Sequence, residues 1–194
     1  IRSIPTLILF DKGAEVAPDV EVQPYTIIED QVVIGPGCVI GPHCVIGAGT
    51  RMGANNRTFS GAQIGVPPQD LKHLHDAVGR TVIGDDNVFR EMVTVSSGTV
   101  YNLEEAGKKA TTIGSGCLFM ACTHVAHDCH LGDRVIMANG TALAGHVTVQ
   151  TGAILGGLVG IHQFCVIGAM SFIGGMSRVS MDVLPYMIME GHPA

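Results

Sequence analysis

From Ile113 to Val179 every sixth residue is apolar: Ile113, Phe119, Val125, Leu131, Met137 and Leu143, then Val149, Leu155, Ile161, Ile167, Ile173 and Val179. Four residues after each comes a small or β-branched side chain, as at Cys117, Thr123, Cys129, Val135, Thr141 and Val147. A period of six held over twelve hexads is neither a helical period nor the simple alternation of a strand. A fixed short repeat of this kind marks a solenoid. Three hexads close one triangular coil, so residues 18 positions apart in this sequence stack at about 4.8 Å. The expected fold class is therefore all-β: a left-handed parallel β-helix over residues 1–194, with two extruded loops.

The same phase begins near the start. Ile4 and Phe10 lead to Val16, Val22, Ile28, Ile34, Ile40, Ile46 and Met52; it weakens at Thr58 and recovers at Ile64. Two interruptions follow. Residues 66–80 carry two prolines, two histidines and mixed charge, and Ile83 falls 19 positions after Ile64, one out of register. Ile83, Phe89 and Val95 resume the coil. Residues 96–112 are the most charged stretch, and Tyr101 and Gly107 are poor hexad leaders, so most of this stretch is read as a second loop. Long ordered excursions from a rigid scaffold often carry function. Near the end, DVLPYM at 182–187 is read as breaking the repeat. The leaders add up to about eight coils.

Composition fits a thin coil. Its hydrophobic fraction of 46% reflects an interior that every turn must line. The 26 glycines supply tight or left-handed corners. Only 14% of residues are charged and the net charge is −6, which excludes a nucleic-acid footprint. Five of the six cysteines (Cys38, Cys44, Cys117, Cys129 and Cys165) fall in the small inner slot of a hexad, where they act as buried hydrophobes. No pair has CxxC spacing, so reduced thiols and a cytoplasmic protein are expected. The start lacks a signal-peptide pattern, and the apolar run Ala153 to Ile161 is too short to span a membrane.

Two outward columns follow from the spacing. Leu118, Ile136, Ile154 and Phe172 directly precede hexad leaders and point outward by alternation. An apolar stripe over four coils reads as a self-association face. The second column holds His127, Gly145 and Gln163, beside a column of Asp128, His146 and Phe164. A neutral imidazole can take a proton from a hydroxyl or amine. A glycine N–H can steady a tetrahedral oxyanion, and a carboxylate can fix the histidine tautomer. These are the parts for acyl transfer. No Ser or Cys shares the column, since Cys129 occupies an inner slot, so direct attack by the acceptor is favoured. The cluster of His124, His127, His130, His146 and His162 leaves a zinc site open as the rival chemistry. His73 and His75 read as surface or satisfied histidines.

The segments HVAHDCHLGD, ANGTALAGHVTV, GIHQFCVIGA and PPQDLKH, in matching order over nearly the whole chain, closely resemble the UDP-N-acetylglucosamine acyltransferases that open lipid A biosynthesis. The resemblance implies a homotrimer with active sites between subunits and no cofactor or metal. It implies transfer of a β-hydroxyacyl group from acyl carrier protein to the glucosamine 3-position. His127 would be the general base, oriented by Asp128, with the backbone of Gly145 as oxyanion donor. Asp70 and Lys72 would reach the sugar nucleotide, while His124, His146, His162 and Gln163 would line the cleft. Gly175, in IGGMS, matches the acyl-chain ruler. The N-acyltransferases of the same pathway match less well: they carry His-Asn where this chain has His127-Asp128, and an extra N-terminal uridine-binding domain.

Departures are few. Ser96-Ser97 stands where many members read His-Arg, and Gly-His192-Pro replaces a Gly-Asn-His ending. The family's C-terminal helical domain is absent from these 194 residues. Three other readings stay open: N-acyl transfer to a 3-amino UDP-sugar, a zinc-dependent hydratase on the same coil, and an inactive trimeric scaffold.

Overall fold

Strands of mostly two residues cannot stand alone, and here each finds its partner one coil away. The computed structural model describes residues 8–191; Ile4 and His192 lie outside that range. Successive strands go in turn to three parallel sheets of nine, eight and nine strands. The first sheet runs from Leu9–Phe10 to Arg178–Val179, the second from Glu15–Val16 to Val166–Ile167, and the third from Glu21–Val22 to Ile188–Met189. The register follows the expected spacing: Leu118 lies beside Ile136, Ile136 beside Ile154, and Ile154 beside Phe172. Val88 and Ile188 extend that outward stripe at either end.

Every hexad leader from Ile113 to Val179 is buried, and Cys117, Cys129 and Cys165 fill inner slots. Phe89 and Phe119 stack in the core, with centroids 4.9 Å apart and planes at 1°. Thr58, where the phase looked weak, is also buried. It pairs in register with Ile40 and Phe89, and its hydroxyl accepts the Gly41 N–H at 3.1 Å. The corners hold a surprise. Glycine serves at Gly37, Gly49 and Gly152, but among the described residues fifteen that are not glycine also take positive φ, including Asp128, His146, Leu158 and Phe164. Such a residue costs about 1–2 kcal/mol outside glycine, and the stacked hydrogen bonds on both sides hold it there.

Both loops leave at the same edge, between the first and second sheets. One joins Gln63–Val66 to Arg80–Ile83; the other joins Thr94–Ser96 to Ala110–Ile113 and contains a 3-10 turn at Leu103–Glu105. Each is a single enlarged corner, so no corner is skipped. Strand residues encroach on both expected ranges, leaving 67–79 and 97–109 as loop. The slip at Ile83 is absorbed in the first loop, and Ile83 stacks between Met52 and Ile113 as an ordinary leader. DVLPYM does not end the coil. Val183 bridges Ile167, and Ile188–Met189 pairs with Phe172–Ile173; the repeat shortens by two residues at one corner and resumes. No helix among the described residues is long and apolar enough to cross a membrane.

A buried amide ladder joins the early coils. Asn56 and Asn87 occupy inner slots between the second and third sheets and are fully buried. Asn87 Nδ2 donates to Asn56 Oδ1 and to the Gly114 carbonyl, both at 3.0 Å. Asn87 Oδ1 accepts the Cys117 N–H at 2.8 Å. Asn87→Ala strands these partners in a dry interior. A loss of about 1–3 kcal/mol is expected, seen as a lower urea midpoint; an unchanged midpoint would contradict the ladder.

Candidate functional site

The loop-bearing edge also carries the turns after His124–Val125, Ala142–Leu143 and Gly160–Ile161. Stacking there brings His127 over Gly145: a Cβ at Gly145 would sit 2.6 Å from His127 Cε1 and 2.7 Å from Nε2. Only glycine lets the imidazole lie this close to the next coil. His127 Nδ1 is 2.9 Å from Asp128 Oδ2. Asp128 is buried, and its φ of 57° is one that Asp tolerates better than most residues.

Asp128 is densely bonded. Its Oδ1 accepts the Thr99 N–H at 3.1 Å, its Oδ2 the Thr99 hydroxyl at 2.7 Å, and its own N–H donates to Thr111 Oγ1 at 2.9 Å. Burial alone would raise its pKa; the hydrogen bonds from His127 and Thr99 prevail and hold the carboxyl below its ordinary value. An ionised carboxylate only accepts, so Nδ1 of His127 is the donor to it, and in the neutral imidazole the lone pair lies on Nε2.

His146 meets the ring of His127 edge-on at 5.1 Å and stacks on Phe164 at 4.8 Å and 8°. Its Nε2 is 3.7 Å from Asp128 Oδ2, and burial pushes its pKa down. The Gly145 N–H makes no hydrogen bond among the described residues. At some other corners the N–H at this hexad position is capped by a side chain: Ala48 by Glu29 at the same edge, and Ala54 by Asp85, Ser115 by Asp133 and Ala169 by Gln150 between the second and third sheets. Cys129 offers no nucleophile, because burial pushes its thiol up to about 12.

The first loop closes over these groups. Asp70 Oδ1 accepts the Lys72 N–H at 2.9 Å and Oδ2 the Tyr101 hydroxyl at 3.1 Å; the Lys72 bond is the main cause of its lowered pKa. An open cleft of ≈ 600 Å³ is bounded by Asp70, Leu71, Lys72, Tyr101, His127, His146, Gln163 and Phe164.

The expected lining residues therefore divide. Asp70, Lys72, His146 and Gln163 surround the cleft with His127. His124 and His162 lie around the corner, in a groove of ≈ 420 Å³ on the first-sheet face with Ala142, Gly160 and Arg178. His124 Nδ1 is 2.7 Å from Thr94 Oγ1, and burial, then the nearby His127, lowers its pKa. Gly175 sits on a different edge, between Phe172–Ile173 and Arg178–Val179, across that face from His127. Neither Gly157 nor Gly175 has positive φ, and a Cβ on Gly175 would meet only Gly157 backbone, at 3.3 and 3.7 Å. Backbone conformation does not demand glycine at either place.

Of the five clustered histidines only His127 and His146 converge, and with Asp128 they form the one group among the described residues with three ligand atoms within 4.8 Å of one another. His130 is exposed on the second sheet, 2.9 Å from the Thr112 hydroxyl. His73 Nδ1 accepts the Val100 N–H at 3.0 Å, and His75 is exposed beside Asp76. Thr99, Tyr101 and Thr111 escaped the sequence reading. The partners of Thr99 and Tyr101 lie across a loop, where the 18-residue rule does not reach; Thr111, 17 positions from Asp128 on the neighbouring coil, was within that rule's reach, and its alternation with Ile113 was a local signal.

The bacterial transferase hexapeptide (six repeats) family matches residues 13–48, 25–60 and 110–145. The acyl-[acyl-carrier-protein]–UDP-N-acetylglucosamine O-acyltransferase of Gloeothece citriformis is 45% identical over 139 residues, 72% of this chain and 48% of that protein. That of Aliarcobacter butzleri is 47% identical over 140 residues, 72% and 52% respectively. The chain thus spans about half the length of these curated relatives. LpxA from Acinetobacter baumannii superposes with a TM-score of 0.89 at 42% identity, over 96% of this chain and 70% of that one. The UDP-N-acetylglucosamine O-acyltransferase of Moraxella catarrhalis gives 0.91 at 37%, over 98% and 71%. A hexad-built left-handed parallel β-helix, a His-Asp pair above an uncapped glycine N–H, and this likeness in sequence and shape place the chain in the UDP-N-acetylglucosamine acyltransferase family.

Proposed function

We infer that this chain transfers a β-hydroxyacyl group from acyl carrier protein to the 3-hydroxyl of UDP-N-acetylglucosamine, the first step of lipid A biosynthesis. The observation that carries the reading is the His127–Asp128 pair set over the free Gly145 N–H. In this mechanism Nε2 of His127 removes the proton from the sugar hydroxyl as the oxygen attacks the acyl carbonyl. The tetrahedral oxyanion takes the Gly145 N–H. Collapse breaks the bond to the carrier's sulfur, and the imidazolium returns its proton to that leaving group. Asp128 stabilises the imidazolium in between. The fully buried, unionised Cys129 supports direct attack without an acyl-enzyme.

Asp70 and Lys72 bind the sugar nucleotide from the first loop, and His146 and Gln163 line the cleft beside it. The acyl chain leaves past His124 and His162, along the first-sheet face. Ala142 and Gly160 give that face a low floor; a Cβ on Gly160 would meet nothing within 4 Å. The path ends at Gly175. Sites lie between subunits of a homotrimer, whose contact includes the third-sheet stripe of Leu118, Ile136, Ile154 and Phe172. Six free cysteines support a cytoplasmic setting.

His127→Ala tests the base. Turnover is expected to fall by about 10²–10⁴-fold with an unchanged circular dichroism spectrum, and near wild-type kcat would refute the assignment. Gly175→Met tests the groove. A flexible apolar side chain there fills the far end, so each methylene of a long donor that loses burial costs about 0.8 kcal/mol. Comparing kcat/KM over a series of donor lengths should show a shift toward shorter chains. The same length profile in both proteins would place the ruler elsewhere.

A further inference from the structure

The geometry points to Thr99 as a positioning residue for acyl transfer, acting through Asp128; this rests on the reading of His127 as the base. Thr99 is fully buried and grips both carboxylate oxygens, with its N–H on Oδ1 and its hydroxyl on Oδ2. The oxygen that takes the hydroxyl is the one that takes His127 Nδ1. Two donors thus converge on Oδ2, and the hydroxyl fixes where that oxygen stands. Rotation of the carboxylate about χ2 would carry Oδ2 off the imidazole; the hydroxyl at 2.7 Å opposes it.

The seat of Thr99 is independent of its own hydroxyl. Ser97 N–H donates to the Val66 carbonyl and Gly98 N–H to that of Arg80, each at 2.9 Å. Beyond it, the Val100 N–H donates to His73 Nδ1 at 3.0 Å and the Val100 carbonyl accepts the Leu74 N–H at 2.9 Å. The segment is pinned to the first loop and its flanking strands on both sides. Next along, Tyr101 reaches Asp70. One short segment therefore holds the base's partner through Thr99 and reaches the first loop through Tyr101.

The Thr99 hydroxyl can be tested by itself in the enzyme. Thr99→Val keeps the shape and the backbone bonds and removes only the hydroxyl. Its kcat should fall at least several-fold and by up to about 10²-fold, the scale of a misplaced reacting group, with KM for UDP-N-acetylglucosamine unchanged. Thr99→Ser should restore kcat. Melting curves check folding, and Thr99→Ala is read in place of Val if the latter does not fold. Wild-type kcat in Thr99→Val, a change in KM alone, or no recovery in Thr99→Ser would overturn the inference. His127→Ala, assayed in parallel, separates the two claims: full activity there would sink the base itself, whereas an inactive His127→Ala beside a fully active Thr99→Val sinks only the role of Thr99.

Discussion

Hydrogen bonding between residues one coil apart is the constraint on which the rest of this structure depends. Strands such as Ile136–Met137 have two residues and no partner within their own coil. Each is held by the coil above and the coil below, so stability is a nearest-neighbour sum. The same bonds keep His146 and Phe164 in left-handed corners that a free chain would avoid. Because those corners stack, their side chains stack as well, and the ring pair at 4.8 Å is a by-product of the ladder.

The rigid ladder supplies position, and the loops supply what it cannot. A regular corner offers three or four side chains, all on the surface. Where the first and second sheets meet, two corners are enlarged, and their loops bring Asp70, Thr99 and Tyr101 against His127 and Asp128. The carboxylate is thereby buried and kept ionised at once, which an exposed corner would not achieve. Ile154 and Phe172 of the third-sheet stripe are exposed, and a Cβ on Gly160 in the first sheet would meet nothing within 4 Å.

Much of this was legible because the repeat is local and its period exact in number. Ile113 to Val179 gave the interior directly, and the spacing of 18 set His127 over Gly145 and Asp128 beside His146. Legibility failed where a contact crosses an irregular segment. Thr99 is 29 positions from Asp128, a separation that no multiple of the coil predicts. Asn56 and Asn87 were hidden for another reason: their slots are inward, and only the ladder of bonds makes an amide acceptable there. DVLPYM looked like an ending because the phase breaks; in space a shorter corner absorbs the missing two residues, and Val183 still reaches Ile167. His124 and His162 share the histidine cluster in sequence, but the corner turns them onto the neighbouring face.

The central claim is that an ionised Asp128 holds His127 in the tautomer that can accept a proton from the sugar. Asp128→Asn tests it most directly, because an amide nitrogen placed against Nδ1 favours the wrong tautomer with little change in shape. The measurement is the steady-state rate of transfer from a β-hydroxyacyl carrier protein to UDP-N-acetylglucosamine, for the parent and the variant. The account predicts 3-O-acylated product from the parent and a kcat lower by roughly 10²-fold or more in the variant, with the melting transition retained. A variant that turns over as fast as the parent would contradict it.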